Sequence, residues 1–447
     1  MTRSRHTLNR RTLLARAAAL AAAPYVLPAS ARGADGAEPP SNRIGLGFIG
    51  IGMMGRGHLR CCLSYEQAQV LAVCDVDRWR RDDAKTTVER AYAARRAAGT
   101  YRGCDTYTDL RALLARADVD AVLIATGDRW HALATVMAAR AGKDIYCEKP
   151  ACLTVAEAVA MVREVQRYGR VFQTGLQQRS SAQFRKACGL VQAGAIGRVQ
   201  VVYVGFPGTN EHVMLPPEPV PDGLDWDQWL GPAPWRPFNS RYHIYGRPPH
   251  VVPWHFCRDF GGGNLTSNTV HAFDVVQWGL GMDGSGPVRV EPPETGAVPS
   301  LTYTYAGGVR CQVTWHLEPG KHVVPPGWDP RTRVQNFGAL FVGEEGWIHV
   351  GRGGYLEAYP ASILEQPAEP VGGVTPHHAN WFTCIRTRGR PASDVVSGCG
   401  STIVAHLGCI AHWTGRALDW NPVRKVFPTD AEATRWLSRP MRSPWTL

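Results

Sequence analysis

No Cys-x-x-Cys pair occurs anywhere in the 447 residues, although the chain has 12 cysteines. A zinc site built on paired cysteines is therefore not expected. The scattered positions, among them Cys61, Cys62, Cys74, Cys104, Cys147 and Cys152, lie mostly in apolar stretches and read as free thiols with few or no disulfides. Charge is scarce too. Asp, Glu, Lys and Arg make up 19% of the chain against 44% apolar residues, which excludes disorder as the main state. On this reading no uncharged apolar run reaches the ~18–20 residues that cross a bilayer, so no stable membrane insertion is expected. Acidic residues are missing from positions 1–32, which hold six arginines. The rest of the chain carries 43 basic against 38 acidic residues, so the net charge of +11 is mostly a property of that first segment. Such a near-balance does not make a nucleic-acid binder.

The arginines of that segment have a pattern. Residues 9–14 read Asn-Arg-Arg-Thr-Leu-Leu, followed by an uncharged run from Ala17 to Leu27 and the small-x-small triplet Ala29-Ser30-Ala31. This is the layout of a twin-arginine signal peptide over residues 1–31, and it predicts export to the periplasm. The alternative, an Ala-rich helix of the mature protein, is opposed by Pro24 and Pro28. Because that route carries folded proteins out of a reducing compartment, free buried thiols are compatible with it. Residues 32–42 read as a linker.

From residue 43 the pattern is βα alternation. Ile44–Ile49 is a short apolar run, followed by Gly50-Ile51-Gly52-Met53-Met54-Gly55 and a helical stretch. In G-x-G-x-x-G between strand and helix, two glycines let the backbone approach a pyrophosphate, and the third lets helix pack on strand. A second buried strand, Val70–Cys74, ends at Asp75, placed to accept from ribose hydroxyls and to repel a 2′-phosphate. Strand 121–125, helix 130–141 and strand 144–147 continue the alternation up to Glu148-Lys149-Pro150. Buried parallel strands alternating with helices mean a doubly wound α/β sheet over residues 43–175. Gly50, Gly52, Met53, Met54, Gly55, Asp75, Thr126, His131, Glu148 and Lys149 then fall along its ligand-binding carboxyl edge, and NAD is the expected cofactor.

Glu148-Lys149-Pro150, downstream of the glycine motif and of Ala125-Thr126-Gly127-Asp128-Arg129-Trp130-His131, resembles the glucose–fructose oxidoreductase / inositol dehydrogenase / MocA (Gfo/Idh/MocA) family. Gly261–Thr266 with Val270-His271-Ala272-Phe273-Asp274 is similar to its second signature, and Leu224–Pro232 and the run from Gly343 to Pro440 are similar to its exported twin-arginine subgroup. The resemblance implies a Rossmann domain followed by a C-terminal α/β domain (176–447) with a large open, mostly antiparallel sheet through which homo-oligomers form. It implies that Lys149 is the catalytic lysine beside the nicotinamide, on a Lys-Pro bond that is often cis, and that His271 is the acid/base. Oxidising a secondary alcohol needs such a pair: a base for the hydroxyl proton and a cation for the developing alkoxide. One position departs from the family. Where an acid usually stands four residues before the histidine, this chain has Ser267, and Ser267-Asn268-Thr269 reads as a helix N-cap. Asp274, at i+3 from His271, is the local partner that histidine would have in a purely structural role.

Residues 206–260 are rich in Pro and aromatic residues and read as an extended, ordered arm. Most of its aromatics are expected to pack the arm down. His255 and Arg258, with Ser267, Asn268 and Asp274, are the substrate-side candidates. His377-His378 lacks further ligands nearby in sequence, so no metal is expected. The expected function is an exported NAD-dependent oxidoreductase of a sugar, glycoside or cyclitol, with its cofactor tightly held and internally recycled. Two alternatives stay open: a redox-neutral enzyme that cleaves a glycoside through a transient keto-sugar, and a non-catalytic sugar- or cofactor-binding protein.

Overall fold

The computed structural model describes residues 42–447 apart from 212, 245, 247–252, 294–298 and 368–375. The signal-peptide reading, and the linker except Asn42, lie outside the described residues.

The first half follows the alternation read from sequence. The strands are β1 (Ile44–Ile49), β2 (Ala68–Cys74), β3 (Asp105–Tyr107), β4 (Ala121–Ile124), β5 (Asp144–Cys147) and β6 (Phe172–Thr174). They form an all-parallel sheet of order β3-β2-β1-β4-β5-β6, the doubly wound arrangement with its chain reversal between β1 and β4. Helices α1 (Met53–Cys62), α2 (Arg78–Ala91), α3 (Asp128–Arg140) and α4 (Val155–Arg167) are the main helices of this half. β1, β4 and β5 are buried at every position, as strands covered on both faces must be. β3, a polar Asp-Thr-Tyr edge strand, is absent from the sequence reading because it has no apolar run.

After α5 (Ala182–Gln192) comes β7 (Val199–Val204), the centre of a second sheet. Its other strands are β8 (Pro287–Glu291), β9 (Thr302–Tyr305), β10 (Arg310–Val313), β11 (Ala339–Gly343), β12 (Trp347–Val350), β13 (Leu356–Tyr359) and β14 (Leu418–Asp419), in the order β13-β12-β11-β7-β10-β9-β8-β14. Every pairing is antiparallel except β7 with β10. The expected fold class is therefore observed. Helices α6 (Val270–Gly279), α7 (His377–Thr387) and α8 (Val395–Thr414) belong to this half.

Helix α8 corrects one expectation. Its 20 residues contain no Asp, Glu, Lys or Arg, so an uncharged apolar run of membrane-spanning length does exist, and 89% of its most apolar window is buried inside the protein. It packs against α6 and α4, with Asp394 capping its first turn through Ser397 N–H at 2.9 Å. Its length is that of a core helix crossing the molecule.

The described residues of the arm are irregular, as its prolines dictate, apart from a short helix at Trp226–Leu230 and a 3-10 turn at Pro253–Phe256. Trp226, Trp229, Phe238, Tyr242, Cys257 and Phe260 form a small core of its own, with the Trp226 and Trp229 rings stacked at 4.4 Å. The last stretch of chain returns to the first domain. Leu437 C=O accepts from Ala156 N–H, and Arg439 pairs with Glu157 at 3.0 Å and donates to the carbonyls of Arg129 and Asp259. The Trp445 ring closes edge-on against Trp130. All 12 cysteines are unpaired, and all but Cys61 are buried.

Candidate active site

The glycine motif forms the turn expected of it. Gly50 sits at φ +89°, a conformation L side chains rarely adopt, and a Cβ on Gly55 would stand 2.1 Å from Gly50 C=O. Gly52, in contrast, faces open space apart from Arg80 Nη1. Beneath this turn lies a cavity of about 550 Å³, bordered by Gly50, Gly52, Met53, Met54, Asp75, Thr126, His131, Glu148 and Lys149. Gly55 lies behind it as the helix-packing glycine. A backbone turn closed to side chains at Gly50 and Gly55 and left open at Gly52, at the N-terminus of α1, is the chemistry a dinucleotide pyrophosphate requires, so these residues fit NAD.

Asp75 holds the loop as well as facing the cavity. Its carboxylate accepts from Ile51 N–H at 2.6 Å and from Asp77 N–H at 2.9 Å. Two cations stand at the cradle: Arg56 Nε donates to Ile51 C=O at 3.4 Å, and Arg80 Nη1 faces Gly52. Arg80 lines the cavity but is committed to the carbonyls of Ile244 and Gly246 and to Asp77. Asp77 is fully buried where the arm meets β2, taking hydrogen bonds from Arg80 N–H and Gly246 N–H and facing His243 Nε2 at 3.3 Å. The arm thus borders the nucleotide cavity, contributing Gln228, Trp229, His243, Trp254 and His255. Arg129 reinforces this closure by donating twice to Trp229 C=O, at 2.6 and 2.8 Å, with its guanidinium 3.6 Å from the Trp229 ring centre.

The Lys149–Pro150 peptide is cis. Lys149 Nζ donates to Ser267 C=O at 2.5 Å, and burial lowers its pKa from the ordinary lysine value. His131 lies between Pro150 C=O (2.6 Å) and Thr126 C=O (3.2 Å), fastening the two turns together. Glu148 is buried. Its Oε1 meets His58 Nε2 at 2.8 Å and its Oε2 accepts from Lys149 N–H at 3.2 Å. Burial pushes this carboxyl up, but His58, Lys149 and His271 outweigh that and hold it at about 2. His58 in turn meets His378 Nε2 at 2.9 Å. His377 bonds Ser180 Oγ and Thr174 C=O, so the His-His pair serves packing and hydrogen bonding.

A second lobe of about 490 Å³ shares Met54, Glu148, Lys149 and Asn268 with the first and contains His271, Gln178 and Arg352. In the orientation its neighbours require, the Gln178 amide donates to His271 Nδ1 at 2.9 Å and accepts from Arg352 at 3.2 Å. Burial, with Lys149 and Arg352 nearby, drives the His271 pKa well below its ordinary value, so the ring is neutral.

Three expectations are corrected. Leu265–Thr269 is a π-turn running straight into α6, so Ser267-Asn268-Thr269 is no N-cap; the widened turn presents Ser267 C=O to Lys149 and Asn268 to both lobes. Asp274 points away from the site and is locked by Arg179 at 2.8–3.0 Å, with Ser401 also buried against it and the half-exposed Asp283 holding the far side of Arg179. Arg258 stacks over Trp413 and Trp436 at 4.6 and 5.3 Å and does not border the cavity. His255, Ser267 and Asn268 do border it. Sequence assigned no role to Asp128, Arg80, Gln178 or Arg352. Asp128 alone had a signal, its place three residues before His131 in a motif already singled out.

Residues 203–447 match the sequence model described as "Oxidoreductase family, C-terminal alpha/beta domain", and residues 44–176 the one described as "Oxidoreductase family, NAD-binding Rossmann fold". The chain belongs to the Gfo/Idh/MocA oxidoreductase family. It is 29% identical over 161 residues to a myo-inositol 2-dehydrogenase of Thermotoga maritima, 36% of this chain and 44% of the relative. It is 31% identical over 168 residues to a 2,7-anhydro-N-acetylneuraminate hydratase of Mediterraneibacter gnavus (38% and 41%), and 28% identical over 231 residues to a 1,5-anhydro-D-fructose reductase of Ensifer adhaerens (51% and 56%). The chain thus spans about half the length of these Gfo/Idh/MocA relatives. An aldose-aldose oxidoreductase from Caulobacter crescentus shares the fold at 18% identity and a TM-score of 0.54, over 84% of this chain and 99% of that one. A Lactobacillus plantarum myo-inositol 2-dehydrogenase does so at 16% and 0.53, with the same coverage.

Proposed function

We propose that this protein is an NAD-dependent oxidoreductase acting on a secondary hydroxyl of a sugar, glycoside or cyclitol. The observation that carries the reading is the junction of the two lobes: Lys149 and Asn268 border both the glycine-cradled cavity and the lobe holding His271. Bound NAD would supply a hydride acceptor. Gly50, Gly52, Gly55 and Asp75 would hold it, Lys149 would orient the hydroxyl and offset developing negative charge, and neutral His271 would hydrogen-bond the substrate. His255, Ser267 and Asn268 supply donors and acceptors suited to hydroxyl groups, and the relatives' names point to the same substrate class.

The arm favours a refinement, in which the nucleotide stays bound through the cycle and the hydride is returned either to a second substrate or to the same one after cleavage at a neighbouring carbon. Hydrogen bonds from Arg80 and Arg129 to arm carbonyls fasten the wall that nucleotide release must open. The relative named as a hydratase is in line with the redox-neutral version. Twin-arginine export to the periplasm, on the features of residues 1–31, and self-association through the eight-stranded sheet complete the proposal.

The test is to purify the protein without added cofactor, denature it and identify any released nucleotide, then assay cyclitols, sugars and glycosides with and without NAD. Co-purified NAD(H) with turnover needing no added cofactor supports the retained-cofactor form. Nucleotide-free protein yielding NADH in proportion to substrate leaves a plain dehydrogenase. A chain that binds NAD but neither oxidises nor cleaves any of them is a binding protein.

A further inference from the structure

Glu148, Lys149, His271 and Asp128 stand at the junction of the two lobes, and the first three are already engaged. Glu148 is tied to His58 and to Lys149 N–H, Lys149 Nζ donates to Ser267 C=O, and His271 takes the Gln178 amide. The fourth is Asp128, the first residue of α3. It borders the cavity, is 2% exposed and receives a backbone hydrogen bond from Gly262, yet its Oδ2 has no partner among the described residues. An unpaired carboxylate oxygen is costly to bury and survives where something uses it. Gly262 belongs to the glycine run that leads into the π-turn of Ser267 and Asn268, so Asp128 links the edge of the first sheet to the wall opposite Lys149.

The geometry points to Asp128 as the carboxyl group that exchanges the substrate's hydroxyl proton while Lys149 orients that hydroxyl; the inference rests on the oxidoreductase reading above. In the oxidising direction the substrate O–H bond breaks and its proton passes through a water in the cavity to the Asp128 carboxylate. The C–H bond breaks with its electron pair leaving as hydride to the oxidised nicotinamide dinucleotide. A carbonyl and a neutral Asp128 remain, and Asp128 then returns its proton to water. The other groups suit this role less. His271, held neutral by burial with Lys149 and Arg352 nearby, has its Nδ1 taken by the Gln178 amide, and Glu148 stays ionised. Burial pushes Asp128 up to about 7, only partly offset by Lys149 and Arg129, so it changes charge near neutrality. The groups facing it are Lys149 from the turn after β5, Arg129 from its own helix, and the buried thiols Cys147 and Cys152.

The experiment uses the full chain and Asp128→Asn, which keeps the shape and the acceptor for Gly262 but cannot titrate. The first readout needs no turnover: infrared difference spectra across a pH series. The wild type should show the carbonyl stretch of a protonated carboxyl group fading through neutral pH, and Asp128→Asn should lack it. The second is NAD reduction by a substrate polyol. Asp128→Asn should lower kcat roughly 10²-fold and remove the neutral limb of its pH profile, while leaving the nucleotide Kd within about threefold; Asp128→Glu should restore part of the rate. An unchanged band, or unchanged kcat and pH profile in the Asn variant, overturns the assignment while the wild type still oxidises alcohols. A wild type that reduces no NAD with any polyol overturns the underlying reading, and the redox role of Asp128 with it, even if the band titrates.

Discussion

Three glycines of the first turn and helix separate folding from nucleotide binding, because a methyl group meets a different obstacle at each. At Gly55 the added Cβ would lie 2.1 Å from Gly50 C=O, a backbone atom that cannot rotate aside. The oxygen must retreat by about 1.4 Å to regain an ordinary contact, which pushes the start of α1 off the turn. Gly55→Ala should therefore destabilise the protein by about 1–3 kcal/mol. Moving the N–H groups off the pyrophosphate loses one or two charge-assisted hydrogen bonds, so Kd should rise roughly 10- to 100-fold or more. At Gly52 a Cβ meets only Arg80 Nη1 at 3.6 Å. Gly52→Ala should melt like the wild type but bind nucleotide just as poorly, since the methyl occupies the approach. At Gly57 nothing lies within 4 Å; Gly57→Ala should stabilise the helix by about 0.5–1 kcal/mol and leave Kd alone. Calorimetric titration of NAD and thermal melts of the three variants decide it. A Gly55→Ala protein with wild-type affinity, or a Gly57→Ala protein that binds as weakly as Gly52→Ala, refutes the reasoning.

Lys149→Ala should lower turnover roughly 10²-fold or more while nucleotide affinity stays within a few fold, as steady-state kinetics with a separate NADH titration would show; unchanged turnover removes Lys149 from the mechanism. NAD should be preferred over NADP by at least about tenfold, because Asp75 faces the cavity and Arg80 is spent on Asp77 and two arm carbonyls; equal affinities in stripped protein count against this. Acid should weaken the fold well before the carboxylates titrate. Burial lowers His377 to about 4 and His349 and His378 to about 3, so the unfolded chain binds more protons below its own pKa of about 6.5, and stability falls as pH falls. At pH 5.5 each of the three costs about 1.4 kcal/mol relative to pH 8. Asp128 and Asp274, raised instead by burial, work in the opposite direction but are fewer than the lowered histidines. Urea melts from pH 8 to 5.5 should show the loss, and a flat profile would contradict it.

The legible parts of this chain are those governed by short-range patterns. β1, β2, β4 and β5 announce themselves as apolar runs because both faces are covered, and the glycine turn and the Glu148-Lys149-Pro150 corner are local in sequence. What escaped depends on contacts between distant segments. Asp274 looks like a partner for His271 at helical spacing, but Arg179, 95 residues away, claims it. Arg258 has an aromatic-rich neighbourhood in sequence, yet the rings it meets are Trp413 and Trp436. Ser267-Asn268-Thr269 carries the composition of a cap, yet it lies in a π-turn whose Ser267 C=O accepts from Lys149. The uncharged run of α8 is masked in the sequence by the Ser, Gly, Thr and His that interrupt it; its burial tells what it is.

The return of residues 437–445 to the first domain has a consequence for the order in which the molecule is made. Ala156 N–H, Glu157 and the Arg129 carbonyl, all within the first 160 residues, find their partners in Leu437 and Arg439. A ribosome will have built the entire nucleotide-binding sheet long before these arrive. Until then the start of α4 lacks a backbone acceptor, Glu157 lacks its cation and Trp130 lacks the ring that covers it. The nascent domain therefore waits in an unfinished state for the whole of synthesis, and nucleotide pocket and chain terminus mature together. A chain ending at residue 436 would lose none of the residues that border the cavity, yet would leave the helix that carries Asp128 and Arg129 without its clasp.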